Sequence, residues 1–511
     1  MCAQLVLASD HRHLLLALAE ELLVLILLDL EPRDILSCTK VCHALADVVE
    51  RTPAVQYKLQ LGLAGMIDGL AALTPVGQRL EQLRAYQSSW SENAVPIVTV
   101  NCSRQYRCFV RDGAVAYVGS THLKLFRPAS AYSGIAEEEL GTLEFGHHVD
   151  PDSFSVDGLA IDREQDLVIL TQLLLGEMPH MYLLSISNGG ALHPLAARPH
   201  LEGAEELGIS IDPEEQLDIC GDHVAWTIQS DAVSIIVYNW KTGQIVWTEG
   251  EWPEGDPHFY MRCHFLDRDH LLVVRNTDLH VHQIDPAKAG AWNAYTNALC
   301  MLRFPALRQG LITHGMESQL RCPTNFPGDK PLFQRNPPLS VLAVKFSACK
   351  DPHGYNHSQC RSFIALVPVA TILATLKDTP SRFAEVPWEA WSAPGARIIE
   401  HVNDVNFSIH TMGSTCMLIP QYSSTSGITE EAKNAFLIDA HPLAKDAPCA
   451  KLGIANPTLK LSDTIHEPEW FEHPVHSTLP YRIRALGEAP GSCLSHDAIV
   501  KLQYGSYASD A

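Results

Sequence analysis

The densest group of metal-type ligands in the chain is Cys349, His353, His357 and Cys360. Two thiolates and two imidazoles so close together are the donor set of a tetrahedral zinc site that pins a loop. The spacing matches no standard finger, and Pro352 and Gly354 interrupt it, so the default expectation is a solvated loop. His280 and His282 alternate onto one face of a strand, and His147-His148 falls in a loop; both read as polar decoration rather than ligands. Cys38 and Cys42 stand at i, i+4, the spacing of one helix face, where a cysteine packs more often than it reacts. No metal site is assigned.

Fixed catalytic signatures are missing. There is no G-x-S-x-G elbow, no Gly-rich phosphate loop and no H-E-x-x-H, and His466-Glu467 runs into Pro468, which cannot continue a zinc-binding helix. No catalytic residue is named and no cofactor is implied. An enzyme of this composition would need a cluster of carboxylates or a metal, and none is visible in the sequence.

The elements that would carry any site follow from bulk and pattern. A chain of 511 residues exceeds one ordinary core, so two to four domains, or a repeat ring with an accessory, are expected. A formal net charge of −22 argues against nucleic acid as a partner. The fourteen cysteines are irregular and contain no C-x-x-C, the pattern of reduced thiols in the cytosol or nucleus. Leu14 to Leu30 is very apolar, but Glu20, Glu21 and Asp29 interrupt it. Its longest unbroken apolar run, Leu22 to Leu28, falls far short of the roughly 20 residues a membrane span needs. The expectation is a soluble protein with no membrane partner.

Residues 18 to 60 read as a helical unit. Leu22, Leu25 and Ile26 repeat at helical spacing behind Glu20 and Glu21, which suit a first turn. Pro32 breaks that helix and begins the next, with Asp34 in its opening turn. Val41, Leu45, Val48 and Val49 mark the apolar face of a third helix; Pro53 ends it and can start another turn. The run from Leu22 to Leu28 is apolar on every side, and a small bundle covers only one side of a helix. The uncovered side must meet another part of the chain or another protein.

The order Leu18-Ala19-Glu20-Glu21-Leu22-Leu23, then Ile26, Leu30, Glu31-Pro32-Arg33-Asp34-Ile35-Leu36 and Lys40-Val41-Cys42, resembles the F-box. That three-helix module docks onto a Skp-type adaptor. The continuation Pro53 to Leu59, the stretch Leu63 to Gly69, and Arg79 to Arg84 with Trp90 after it are similar to a set of fungal F-box proteins. The resemblance implies adaptor contacts at Leu18, Leu22, Leu23, Ile26, Leu30, Pro32, Ile35, Leu36, Val41 and Cys42. It departs from the usual pattern at Ala19, where proline is common, and at Leu45 and Gln56, where tryptophans are. Thr74-Pro75 then starts a connector helix with Val76, Leu80, Leu83 and Trp90 on one face, a strut toward the next domain.

From about residue 95 the period changes to two. Strand candidates are Ile97–Val100, Ala114–Val118, Leu123–Phe126, Leu167–Leu170, Met181–Ile186, Val224–Ile228, Ser234–Trp240, Gln244–Trp247, Leu271–Val274 and Leu279–Ile284. Long helices are absent from this reading. Ile235 to Trp247, a strand, a Lys-Thr-Gly turn and a returning strand, resembles the last hairpin of a WD-type propeller blade. Comparable strand ends recur near Phe126, Ile186 and Ile284. Residues 320–360 read as an insertion, 375–396 and 421–433 as loops or short excursions, and Ala498–Leu502 as a strand that closes the ring on the first blade.

The expected fold is α + β multidomain: a three-helix F-box at 14–62, a helical connector at 63–94 and an all-β, propeller-like domain at 95–511. The expected function is non-catalytic, that of the substrate-recognition subunit of an SCF-type cullin–RING ubiquitin ligase. Its partners would be a Skp-type adaptor, through it a cullin, and a protein substrate. Two other readings stand beside it: an adaptor-binding protein without ubiquitin transfer, and a propeller enzyme.

Overall fold

The computed structural model describes residues 15–69, 73–91, 97–102, 107–111, 113–119, 121–130, 134–146, 156–173, 178–203, 214–229, 233–251, 260–284, 298–321, 331–350, 359–379, 383–392, 395–401, 407–421, 434–443, 458–461, 463–488, 492–494 and 498–504.

The first unit contains α1 (Glu20–Asp29), α2 (Pro32–Thr39), α3 (His43–Arg51) and α4 (Pro53–Leu63). Pro32 and Pro53 each open a helix at a position where the missing N–H costs nothing, and the residues before them, Glu31 and Thr52, are extended. Leu23 and Leu27 of α1 pack with Ile35, Val48, Val49, Val55, Leu59 and Leu63 in one core. The sequence expectation of three helices is corrected here: Pro53, read as ending the third helix and starting at most another turn, opens a full fourth helix. Val41 precedes α3 rather than lying on its apolar face. Cys38 sits in α2 and Cys42 caps α3, so the two do not share a helix.

The connector helix α5 (Val76–Ser91) packs Leu80, Leu83 and Tyr86 onto Tyr57, Leu61, Met66 and Phe333. The strand Met66–Asp68 pairs antiparallel with Phe333–Arg335, stitching the helical unit to the rest of the chain. Trp90 lies 5.9 Å, ring centroid to guanidinium, from each of Arg335 and Arg484, and also touches the core formed around Met412 and Leu437. The strut reading of this helix thus has a physical basis.

Most of the remaining strands form a seven-bladed β-propeller, with Asp463–Ile465 and Val475–Ser477 paired in a separate two-stranded sheet. Blades 1, 2, 3 and 5 are four-stranded sheets at 107–144, 158–202, 214–251 and 312–401. Blade 4 (261–303) carries Ala384–Val386 as an added parallel strand, and blade 6 (407–488) carries Thr458–Lys460 on its outer strand. Blade 7 joins the two ends of the domain: Ser492–Leu494 pairs with Ile499–Tyr504, which pairs in parallel with Ile97–Cys102. The closing strand foreseen at 498–502 therefore meets the strand before blade 1, not blade 1 itself.

Closure is written in the cores. Seven apolar clusters each span two consecutive sheets, from that between blades 1 and 2, around Leu125, Leu159 and Leu184, to the one joining blades 7 and 1 through Val100, Val110, Val115 and Val500. Each blade thus has an apolar neighbour on both sides, which covers the blade faces and leaves only short strand edges at the rim and channel.

Two expectations are corrected here. Residues 320–360 are not a simple insertion, because Val341–Cys349 is the second strand of blade 5 and Phe333–Arg335 belongs to the junction with the helices. Residues 375–396, read as loops or short excursions, are an excursion made of the end of α6 (Val369–Asp378), a strand and α7 (Trp388–Trp391), so the domain is not all-β. Trp388 and Trp391 are buried between blades 4 and 5, which is why this excursion folds down as helix instead of looping out. Of the loop expected at 421–433, residues 422–433 lie outside the described residues.

Candidate functional site

Helix α1 has two faces of opposite fate. Leu23 and Leu27 are buried, whereas Leu18, Leu22, Leu25 and Ile26 are 38%, 48%, 62% and 41% exposed. Val41 is 72% exposed. Six helical positions from Leu22 to Leu27 thus place apolar side chains on both sides, and α2, α3 and α4 reach only one. Single exposed leucines are ordinary on a protein surface, whereas several exposed together along one helix are not.

Of the ten residues implied as adaptor contacts, Leu18, Leu22, Ile26 and Val41 face solvent, and Leu30, Pro32, Leu36 and Cys42 are half-buried. Leu23 and Ile35 are corrected: both lie in the core of the bundle and support the exposed stripe from beneath. Leu25, the most exposed apolar residue of α1, was not among the ten although it sits in the same apolar run.

A second site is the propeller channel, a cavity of about 1220 Å³ lined by the inner strands of blades 1 to 5. Its carboxylates are turned toward neighbouring blades. Glu215 of blade 3 accepts hydrogen bonds from the Thr171 hydroxyl (2.6 Å) and the Trp226 indole N–H (3.1 Å). Burial pushes its carboxyl up to about 7, helped by Asp157 and opposed by those two hydrogen bonds and by Arg111. Gly158 makes room for it, since a Cβ there would lie 1.9 Å from Glu215 Oε1. Asp218 of blade 3 meets His264 Nδ1 of blade 4 at 3.2 Å, and His264 Nε2 meets the Ser318 hydroxyl of blade 5 at 3.0 Å. Glu317 of blade 5 holds Lys345 Nζ at 3.2 Å and accepts the Ile409 N–H of blade 6 at 3.1 Å.

At one mouth, Arg111 and Arg321 donate to the same carbonyl oxygen, that of Val110, each at 3.2 Å. Burial and these two guanidiniums hold His410 down at about 3, so it stays neutral. The arrangement ties blades 2 to 6 each to the next, and Arg321 of blade 5 reaches across to blade 1, while burial keeps one carboxyl, Glu215, partly protonated at neutral pH. The sequence reading found no central carboxylates, yet Asp157, Glu215, Asp218 and Glu317 line the channel. The inner strands escaped because their channel-facing positions are polar; the available signal was charge at every second residue, as in Arg262-x-His264 and Glu317-x-Gln319-x-Arg321.

The other sequence candidates fall elsewhere. His280 and His282 are not surface decoration: they are 9% and 1% exposed on the third strand of blade 4. His282 packs edge-on against Trp247 of blade 3 at 5.1 Å, and burial drives its pKa down to about 3. Cys349 and Cys360 face each other across the second and third strands of blade 5 and form a disulfide, Cα–Cα 4.1 Å. That pairing corrects the reduced-thiol expectation for these two residues and takes both sulfurs out of the four-ligand zinc set; His353 and His357, like His147-His148, lie outside the described residues. Among the described residues no group of three or more His, Cys, Asp or Glu is gathered to enclose a metal ion, and no helix is long and apolar enough to cross a membrane.

No family model matches the chain, and no curated protein matches it. Solved structures with a similar course of the chain include the WD40 domain of SCAP from fission yeast (9% identity, 73% of this chain and 81% of that chain covered, TM-score 0.30). Others are Kluyveromyces lactis Hsv2 (9%, 66% and 80%, TM-score 0.30) and the AfRom2 CNH domain (8%, 76% and 97%, TM-score 0.29).

Proposed function

We propose that this chain is the substrate-receptor subunit of a cullin-type ubiquitin ligase. Its N-terminal helices act as an F-box on a Skp-type adaptor, and its propeller holds a protein substrate. One observation carries the reading: Leu22, Leu25 and Ile26 stay exposed on a helix whose opposite stripe is buried, with Leu18 exposed in the bend just before it. Covering a half-exposed leucine or isoleucine is worth about 1 kcal/mol, so four together make a docking face of useful strength. The packing of α5 against the propeller supports the same reading, because a receptor raises the effective concentration of its substrate only if the link between its two binding faces is stiff.

The test is the double substitution Leu22→Asp, Ile26→Asp in the full chain. The wild type is expected to co-purify with a Skp-type adaptor and a cullin, and the double variant to lose both. Both side chains face solvent, so thermal unfolding of the variant should differ by less than about 0.5 kcal/mol. Adaptor capture that survives the double substitution defeats the proposal. Ubiquitin transfer in a reconstituted complex separates a ligase receptor from an adaptor-binding protein that transfers nothing.

A further inference from the structure

Three consecutive inner strands bring an aspartate, a histidine and a serine into line on the channel wall. Asp218 lies on Glu214–Cys220 of blade 3, His264 on Met261–Phe265 of blade 4 and Ser318 on Ile312–Gln319 of blade 5. Ser318 is aimed at blade 4 because its chain neighbours are anchored the other way. Glu317 Oε1 and Gln319 Oε1 accept the Ile409 and Thr411 N–H groups of blade 6 at 3.1 Å and 2.6 Å, and side chains alternate along a strand. All three residues line the channel cavity of about 1220 Å³.

The hydrogen bonds among them run in one direction. Gln216 directs its amide N–H groups to the Cys263 carbonyl (2.9 Å) and to Asp218 Oδ2 (3.1 Å). A carboxylate accepts only, so His264 Nδ1, 3.2 Å from Asp218 Oδ2, carries the imidazole proton and Nε2 keeps a lone pair. The Ser318 hydroxyl donates to that lone pair at 3.0 Å and accepts from the Tyr260 hydroxyl at 2.9 Å. The Tyr260 oxygen in turn accepts the Ser318 N–H at 2.6 Å. The serine proton therefore already points at a base that a carboxylate orients, which is the arrangement that activates a hydroxyl as a nucleophile.

We propose that Ser318 is the nucleophile and His264 the general base of an esterase site in the channel, with Asp218 as the positioning residue. Oγ attacks the carbonyl carbon of a small carboxylic ester while its proton passes to His264 Nε2. The bond to the alkoxide then breaks, and the alkoxide leaves with that proton. Water attacks the acyl-serine by the same route, which restores Ser318 and releases the carboxylic acid, so no further reactant is needed. Burial pushes the Tyr260 phenol up to about 12, so it keeps its proton and turns from Oγ to the oxygen that gains charge. The Ser318 N–H is engaged by Tyr260, and a hydroxyl donor in the oxyanion role suits reactive esters more than amides. The cavity admits a small molecule rather than a folded polypeptide. This activity is separate from adaptor docking and does not rest on it.

The test is treatment of the purified full chain with a fluorophosphonate, which an activated serine attacks with loss of fluoride, followed by peptide mass mapping. One phosphonyl group is expected, on Ser318. Asp218→Asn, which keeps the side-chain size, should slow labelling by at least about a hundredfold, and His264→Ala by as much, read on variants whose thermal unfolding matches the wild type. Asp218→Glu keeps the charge and should recover part of the rate. Wild-type hydrolysis of p-nitrophenyl acetate should exceed that of Ser318→Ala by a similar factor. Ser318 left unlabelled in the wild-type chain overturns the proposal without recourse to any variant. Equal labelling rates in the wild type, Asp218→Asn and His264→Ala overturn it too, by showing that the hydrogen-bonded chain is structural only.

Discussion

Glu215 shows what a single side chain does in the channel. Its carboxyl is raised from 4.5 to about 7, so the folded chain binds the proton more tightly than the unfolded one. The stability this adds is complete below about pH 4.5 and is lost as the pH rises through about 7. Glu215→Gln cannot ionise, so its unfolding temperature should gain on the wild type between pH 5 and pH 8; parallel pH profiles would contradict the assignment. Gly158 is the complementary case. Gly158→Ala drives a methyl into the Glu215 carboxylate and Thr171 Oγ1, and should cost about 1–3 kcal/mol by thermal unfolding, with relief when Glu215 is also replaced by Ala. Neither residue was legible as functional in the sequence, because an isolated glycine and glutamate carry no pattern until the two strands that juxtapose them are known.

Among the elements, legibility followed burial. Helices α1, α2 and α5 were readable from proline positions and apolar spacing, and the third strands of blades 1, 2 and 4 end where the recurring signal near Phe126, Ile186 and Ile284 placed them. The hairpin from Val233–Asn239 to Gln244–Glu251 is the third and fourth strand of blade 3, and its turn is held by Asn239 Oδ1 accepting the N–H groups of Lys241 and Thr242. Inner strands such as Arg107–Arg111 and Glu214–Cys220 were unreadable because alternate side chains are polar and face the channel. Helix α5 makes an element-scale claim: Trp90 beside Arg335 and Arg484 locks the helical unit to blades 6 and 7. Trp90→Ala should lower stability by about 2 kcal/mol and raise amide exchange across residues 76–91 while adaptor binding is kept. Exchange rates in 76–91 that do not change would show that the strut is held by other contacts.

At the scale of the whole molecule, the ring closes between blade 7 and blade 1. Among the described residues blade 7 has three strands, and the fully buried part of its junction with blade 1 is Val100, Val110, Val115 and Val500, with Val98, Cys493 and Leu502 packed beside them. Val500→Asp buries an unpaired charge there and should cost at least about 3 kcal/mol, opening the ring so that unfolding loses its cooperativity. A single sharp transition in that variant would mean that closure contributes little. The change from helical period to period two near residue 95 marked the division between helices and propeller, while the blade count and the α6–α7 excursion needed the pairing of strands far apart in sequence.

The exposed stripe on α1 is the claim on which the functional reading stands. Amide hydrogen exchange of the purified full chain, with and without a purified Skp-type adaptor, tests it directly. Slowed exchange within residues 15–42, absent in Leu22→Asp, Ile26→Asp, is the expected result. Unchanged exchange there at saturating adaptor, or protection confined to the blades, would contradict it.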